Sequence, residues 1–235
     1  MARILKLDEH TARRNDILDA ALGLVMTKGY ERMSVGDILT LMGISSGAFY
    51  HYFDSKPAVL EAIVQRIREG SEPALRLVVE DPELSAIEKL QAFFDVLDTI
   101  RQEHKGEVIE LLRVWYSDDN AIVRSKVESA TLAWRANLIR RIAEQGAVEG
   151  TMAPAHPARS GEIVTSLLHA MGDAHAATML DYGHKRIEEP GFTQAMLAIH
   201  DAYLDAVERV LGTPGNSLRR SDAAAVAKWG KLLKS

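Results

Sequence analysis

The sequence predicts an all-α protein with a small N-terminal helical domain and a larger helical body. Apolar residues recur at helical spacing along most of the chain, and no stretch alternates in the manner of a β-strand. Breaks such as Asp81-Pro82, Lys105-Gly106 and Pro190-Gly191 separate the apolar stripes. The 235 residues are 47% hydrophobic, which suffices for a core in one or two domains.

The N-terminal domain, residues 1–56, is predicted to hold a first helix over 11–30 and two short helices within a motif at 34–53. Ser34 is a good N-cap for the first short helix, and Asp37 can complete a capping box with it. Gly43 suits the left-handed residue that ends this helix, and Ser45 caps the next one. Two short helices joined by a glycine turn predict a helix-turn-helix.

The second short helix has an asymmetric composition. Its first residues, Ser46, Gly47 and Ala48, are small, so this end can approach another surface closely. We expect Phe49 and Phe53 to face inward. Tyr50, His51 and Tyr52 carry polar tips that suit contacts with phosphates or base edges, so the segment is a candidate recognition helix for the DNA major groove.

The body, residues 57–211, is predicted to consist of amphipathic helices, and residues 212–235 form a tail. The predicted body helices cover 57–79, 84–103, 108–116, 121–147, 160–182 and 193–211. Within the tail, 222–233 is predicted to form a short amphipathic helix.

Residues 11–60 resemble the N-terminal domain of the TetR family of transcription regulators (TetR/AcrR-type helix-turn-helix). The segments "SVGDI", "GISSGAFYHYF" and "SK" match the family in order and spacing, over about the first quarter of the chain. The resemblance implies a ligand-responsive, non-enzymatic regulator without a cofactor or metal. It also implies a homodimer built on the last two long helices. The expected action is that of a repressor, released from a double-stranded palindromic DNA operator by a small hydrophobic or aromatic effector.

The resemblance also indicates which residues lie at the DNA interface. These are Ser34, Ser45, Ser46, Gly47, Ala48, Tyr50, His51, Tyr52 and Lys56. Relatives often carry lysine, arginine or glutamine where this chain has Ser46, and threonine or serine where it has Ala48. We therefore expect backbone approach and DNA shape to contribute more to recognition here.

The charge of residues 1–56 argues against a general nucleic-acid binder. The segment holds seven basic and seven acidic residues, and the whole chain has a net charge of −5. A non-specific binder usually shows a strongly basic surface. We expect sequence-specific, salt-sensitive binding and weak binding to random DNA.

The expected effector site lies in the body and is defined by aromatic, methionine and histidine residues. The candidates are Phe93, Phe94, Leu111, Trp115, Tyr116, Trp134, His169, Met171 and His175. These residue types suit an apolar or aromatic ligand, with histidine as a polar contact. For each of them, ordinary core packing is the commoner explanation.

Two other functions stay open from the residues alone. His169 and Asp173 lie one helical turn apart, a spacing that permits metal binding or a base–orienter pair in an enzyme. The chain could also be a helical protein-interaction module with a vestigial helix-turn-helix.

The sequence also predicts the cellular setting. It contains no cysteine, so no disulfide framework is expected. Its start lacks the apolar run of a signal peptide, and no window reaches the length of a membrane span. We therefore expect a cytoplasmic protein that does not bind membranes.

Overall fold

The structure is a computed structural model that describes residues 2–103, 112 and 115–233. The described helices, numbered in chain order, are α1 (Ala2–Lys28), α2 (Val35–Met42), α3 (Ser46–Tyr50), α4 (Lys56–Glu80), α5 (Ala86–Glu103), α6 (Ala121–Glu149), α7 (Pro157–Gly183), α8 (Glu189–Leu211) and α9 (Ala223–Leu233). A 3-10 turn, Asp118–Asn120, precedes α6. The described residues contain no strand, which confirms the predicted all-α class.

Two helix starts differ from the sequence prediction by four residues or more. Helix α1 begins at Ala2 rather than at residue 11. Helix α8 begins at Glu189 rather than at residue 193, because Pro190 lies in its first turn, where a missing N–H costs nothing. The predicted helix over 108–116 falls largely outside the described residues.

The described residues form two compact units. The first, which we call the head, comprises the described residues among 1–70 and 113–130; the second, the body, comprises those among 71–112 and 131–235. The sequence prediction had placed the boundary at residue 56. Helices α4 and α6 each contribute residues to both units.

The head has its own apolar core. From α1 it buries Ile17, Leu18, Ala21 and Val25; from the helix-turn-helix region Ile38, Phe49 and Phe53; from α4 Val59, Leu60 and Ile63; and from α6 Val123. Each helix therefore contributes the apolar stripe that its sequence predicts, and α6 adds a residue from far along the chain.

The body core is larger and depends on close helix approach. Its fully buried members include Leu75, Leu90, Phe93, Ile139, Val164, Val207 and Leu211. A Cβ on Gly161 of α7 would collide with the carbonyl oxygen of Ala136 on α6, so only glycine allows these helices to pack so closely.

The C-terminal tail is part of the body. Glu208 of α8, 3% exposed, accepts hydrogen bonds from the backbone N–H groups of Asn216 (3.1 Å) and Leu218 (2.9 Å) and from Arg220 Nη2 (2.9 Å). Helix α9 lies where a short amphipathic helix was predicted, and its Val226 packs in a cluster with residues of α7 and α8. No helix in the described part of the chain combines the length and hydropathy needed to cross a bilayer.

Candidate nucleic-acid interface

The start of α2 is fixed by a capping box. The Ser34 hydroxyl accepts from the backbone N–H of Asp37 (3.2 Å), and Asp37 Oδ2 accepts from the backbone N–H of Ser34 (2.7 Å). Lys28, at the end of α1, donates to both carboxylate oxygens of Asp37 at 2.8 Å. The hydrogen bonds from Lys28 and Ser34 hold the pKa of Asp37 well below its usual range. Ser34, predicted at the DNA interface, thus uses its hydroxyl in the cap.

The turn between α2 and α3 has the geometry that its glycine predicts. Gly43 adopts φ 62° and ψ 35°, in the left-handed region, and its N–H donates to the carbonyl of Leu39. Ile44 donates to the same carbonyl at 3.1 Å. The Leu39 carbonyl near the end of α2 therefore accepts two hydrogen bonds from the turn that leads to α3.

Helix α3 has one buried and one exposed side. Ser45 caps it by accepting from the N–H of Ala48 at 3.2 Å. Phe49 is fully buried, whereas Tyr50 is 51% exposed. The predicted contact residues Ser45, Ser46, Gly47, Ala48 and His51 are also exposed, and Tyr52 is half-buried. The buried phenylalanine therefore anchors a helix whose small residues and Tyr50 face solvent.

A histidine from α1 joins the aromatic end of this segment. The ring of His10 lies 4.6 Å from that of Tyr52 and 5.4 Å from that of His51, measured between centroids. The rings of His51 and Tyr52 are 5.1 Å apart. Sequence reasoning did not identify His10, because it lies about forty positions away and no local pattern connects it to the motif.

Lys56, the predicted phosphate contact, is held at the start of α4. Its Nζ donates to the carbonyl of Glu31 at 3.3 Å and lies 4.2 Å from the centroid of the Tyr30 ring. An ammonium group has three N–H bonds, so the contact with Glu31 orients the group without using all its donors.

Several predicted effector residues meet in the body core. Phe93 and Met171 are buried there, and Phe94 and Trp134 pack against it. His169 Nε2 lies 3.5 Å from the Thr131 hydroxyl. Burial, and then the nearby Arg135 guanidinium, lower the pKa of His169, which favours its neutral form.

Trp134 contributes an unusual polar group to this region. Its indole N–H is buried and has no hydrogen-bond acceptor among the described residues. The guanidinium of Arg135 lies 5.3 Å from the centroid of the Trp134 ring. Burying a hydrogen-bond donor without an acceptor costs free energy.

The remaining predicted effector residues lie elsewhere. Trp115 and Tyr116 belong to the head, where Arg124 donates to the Trp115 carbonyl (2.7 Å) and lies 5.2 Å from the Tyr116 ring. His175 Nε2 lies 3.3 Å from the Met196 carbonyl oxygen, and its ring stacks on that of His200. Leu111 lies outside the described residues.

Among the described residues, the His169–Asp173 pair does not belong to a group of possible metal ligands. Asp173 is exposed, and His169 is half-buried beside Thr131. Within residues 2–103, 112 and 115–233, no three histidine or acidic side chains form a group that could hold a metal ion.

Comparisons with known proteins place these features in context. A family model described as "Bacterial regulatory proteins, tetR family" matches residues 17–63. The chain is 25% identical over 130 residues to the probable HTH-type transcriptional regulator ArpR of Pseudomonas putida; this covers 53% of the chain and 61% of ArpR. It is 38% identical over 55 residues to the HTH-type transcriptional repressor KstR2 of Rhodococcus jostii, which covers 23% of the chain and 27% of KstR2.

The fold is similar to that of solved structures over most of the chain. The SmeT–triclosan complex superposes with a TM-score of 0.58 at 20% identity, covering 90% of this chain and 97% of SmeT. The sequence matches to ArpR and KstR2, in contrast, span less than two thirds of either relative. The family model thus matches a part of the head, while the similarity of fold covers most of the chain.

Proposed function

Because the chain belongs to the TetR family of regulators, we propose that it is a sequence-specific DNA-binding transcriptional regulator controlled by a small-molecule effector. The observation that carries this proposal is the two-sided α3. Its fully buried Phe49 fixes the helix on the head core, and the small residues Ser46, Gly47 and Ala48 are left exposed. Such a helix can enter the major groove, where base edges carry sequence information.

The side chains of the interface support specific rather than general binding. Tyr50 and His51 are exposed at the end of α3, and Lys56 follows at the start of α4. Two other basic residues of the head already have acidic partners, Lys28 with Asp37 and Arg32 with Asp119 at 2.9 Å. These two ion pairs reduce the basic charge that the head can offer to phosphates, so we expect binding to random DNA to be weak.

A homodimer is the second part of the proposal. The exposed faces of α7 and α8 carry small residues, namely Ala170 and Ala177 on α7 and Ala198 and Ala202 on α8. Small side chains allow helices of two subunits to approach closely. Two recognition helices about one DNA turn apart can then read a palindromic operator.

The effector site is proposed in the body around Trp134. Apolar groups of the core, Phe93 and Met171 among them, suit the hydrophobic part of a ligand. The indole N–H of Trp134 and the side chains of Thr131 and His169 suit a hydrogen-bonding group on the same ligand. We therefore propose an apolar or aromatic effector that carries at least one acceptor.

The direction of regulation follows from the family resemblance. We propose a repressor that leaves its operator when the effector binds, as KstR2 is named a repressor. A DNA-binding regulator works beside the chromosome, so we also propose a cytoplasmic location and a binding rather than a catalytic role.

The central test is selection of DNA from a random pool by the full-length chain, followed by affinity measurements on the selected site. We expect a palindrome, and we expect Tyr50→Ala to weaken binding about tenfold, the cost of one good base or phosphate contact. Val148→Ala, at a 91% exposed position of α6, is the control and should leave affinity unchanged. Equal affinity for the selected site and for random DNA would exclude the proposal.

The effector site is tested by thermal shift with aromatic, fatty acyl and steroid-like probes, each with and without a carbonyl or carboxylate. We expect a probe that carries the acceptor to raise the melting temperature more than its apolar counterpart. Trp134→Phe keeps the ring and removes the N–H, so it should abolish this difference between paired probes. A difference that persists in the variant would place the acceptor elsewhere.

A further inference from the structure

Helix α1 contacts the aromatic end of the helix-turn-helix through two side chains. The ring of His10 lies 4.6 Å from that of Tyr52 and 5.4 Å from that of His51, measured between centroids. One turn later along α1, the guanidinium of Arg14 lies 4.8 Å from the centroid of the Phe53 ring. Ring–ring and cation–π contacts of this kind favour a defined geometry. The head itself therefore fixes α1 beside the predicted DNA-contact residues.

Helix α1 continues beyond this contact toward its N-terminus. It begins at Ala2, so about two further turns of helix precede His10. We call residues 2–9 the α1 extension. A duplex that meets His51 and Tyr52 would pass close to this extension, because His10 contacts both of those rings.

The charges of α1 are segregated by sign around the helix. Successive residues are about 100° apart, so the basic residues and the histidine in the first half of α1 share about one third of the circumference: Arg3, Lys6, His10, Arg13 and Arg14. The acidic residues share a different third: Asp8, Glu9, Asp16 and Asp19. Residues 1–56 have no net charge, but this arrangement gives α1 a basic side, and that side faces the end of the helix-turn-helix.

The later members of the basic side already have partners in the head. Arg13 Nη1 lies 3.3 Å from Asp16 Oδ2, and Arg14 lies over the ring of Phe53. Arg3 and Lys6 belong to the extension, ahead of these contacts. The extension therefore carries two cations of the basic side past the aromatic contact.

We propose that the α1 extension is a second DNA-binding element, in which Arg3 and Lys6 contact phosphates of the duplex outside the site that α3 reads. His10 is a positioning residue that holds the extension against the end of the helix-turn-helix. Phosphate contacts fix register and orientation but carry no sequence information, so the choice of bases stays with α3. The inference rests on the proposed function, because it concerns the same DNA-binding unit.

The first experiment measures how salt affects DNA binding by the full-length chain. The wild type selects its palindrome, and affinity for that site is measured over a series of salt concentrations for wild type and for Arg3→Gln/Lys6→Gln. Each lost phosphate contact reduces the slope of log affinity against log salt by about one. We expect a slope that is smaller by about two and binding that is roughly tenfold weaker at physiological salt. Glutamine is a good helix former, so α1 should stay helical.

A charge-matched control removes two cations from the body. Arg209→Gln/Lys228→Gln, at exposed positions of α8 and α9, should keep the wild-type slope and affinity. A wild-type slope in Arg3→Gln/Lys6→Gln, or an equal change of slope in the control, would overturn the inference and leave the proposed function intact. Failure of the wild type to select any site would count against the proposed function itself.

The length of the duplex gives a second measure of the same contacts. Removing base pairs outside the palindrome removes the phosphates that the extension is proposed to contact. We expect this to weaken binding by the wild type severalfold and to leave binding by Arg3→Gln/Lys6→Gln unchanged. An equal loss in both proteins would place the contacts of Arg3 and Lys6 elsewhere and contradict the inference.

Substitutions at His10 test its positioning role. His10→Ala removes the ring, and His10→Phe keeps an aromatic ring without N–H groups. We expect His10→Ala to weaken binding severalfold, His10→Phe to bind like wild type, and His10→Ala to have no further effect when Arg3→Gln/Lys6→Gln is already present. Equal losses in His10→Phe and His10→Ala would mean that His10 contacts DNA itself, and its positioning role would be wrong.

Discussion

The helix-turn-helix of the head and the core of the body depend on different kinds of polar contact. In the head, the caps of α2 and α3 join residues three positions apart, as Ser34 with Asp37 and Ser45 with Ala48. In the body, key polar contacts join distant residues. Lys89 Nζ donates to Gln145 Oε1 at 2.7 Å, and the backbone N–H of Ala86 donates to Glu149 at 2.9 Å.

From this difference we expect the two regions to tolerate changes in sequence differently. Local caps constrain residue types at fixed spacing, so the head keeps a recognisable pattern. Long-range polar contacts can be replaced by other residue pairs that join the same two helices. The buried Glu208, which accepts from the tail, is such a contact, and nothing local in the sequence indicates it.

The largest expected difference in stability is between substitutions at two adjacent residues of α3. Phe49 is fully buried in the head core, and Tyr50 is 51% exposed. We expect Phe49→Ala to destabilise the head by about 3–5 kcal/mol because it leaves a cavity. Tyr50→Ala should change stability by less than about 0.5 kcal/mol. Urea denaturation followed by circular dichroism measures both.

Tryptophan fluorescence shows which unit unfolds in these variants. Trp115 lies in the head, and Trp134 and Trp229 lie in the body, so variants that keep Trp115 or Trp134 as the single tryptophan report on each unit. In Phe49→Ala we expect the Trp115 signal to change at a lower urea concentration than the Trp134 signal. A single shared transition would mean that the two units unfold together and that the comparison between them does not extend to stability.

Two glycines of α7 allow a steric test of helix packing in the body. A Cβ at Gly161 would meet the Ala136 carbonyl, whereas a Cβ at Gly172 has no neighbour within 4 Å among the described residues. We expect Gly161→Ala to cost about 1–3 kcal/mol through overpacking. Gly172→Ala should be neutral or stabilise by up to about 1 kcal/mol, since alanine is the better helix former. Thermal unfolding of both variants measures the difference, and equal melting temperatures would contradict close packing at Gly161.

The smallest expected effect concerns acid stability of the head. The pKa of Asp37 is lowered in the folded protein by Lys28 and Ser34, so its carboxylate stabilises the fold above the unfolded pKa of about 3.9. This contribution is lost as the pH falls through the lower folded pKa. We expect the stability gap between wild type and Asp37→Asn to be constant above about pH 5 and to narrow below about pH 4.

Urea midpoints at a series of pH values measure this gap. Asp54→Asn, an exposed position in the same unit, controls for the change of charge. If the gap between wild type and Asp37→Asn stays the same down to the lowest pH, the hydrogen bonds of Asp37 do not contribute as the structure indicates.

Much of the head could be predicted from sequence because its signals are short-range. The Ser34 cap, the left-handed Gly43 and the burial of Phe49 each follow from residue type and spacing, and the structure has all three. For the body, the sequence predicted the helices but not which core each apolar stripe joins. Its candidate effector residues divide between units, since Trp115 packs in the head while Trp134 packs in the body, and helical spacing does not reveal which core a stripe will join.

By itself, the sequence determined an all-α protein with a helix-turn-helix whose caps, turn and buried aromatic are local properties of the chain. The tertiary structure alone decided that His10 joins the aromatic end of the motif and that Asn120 bonds to the end of α1. It also decided that Glu208 receives the tail. The physical reason is that caps and turns are set by backbone conformation within a few residues. A buried amide or carboxylate is instead satisfied by whichever distant groups folding brings beside it.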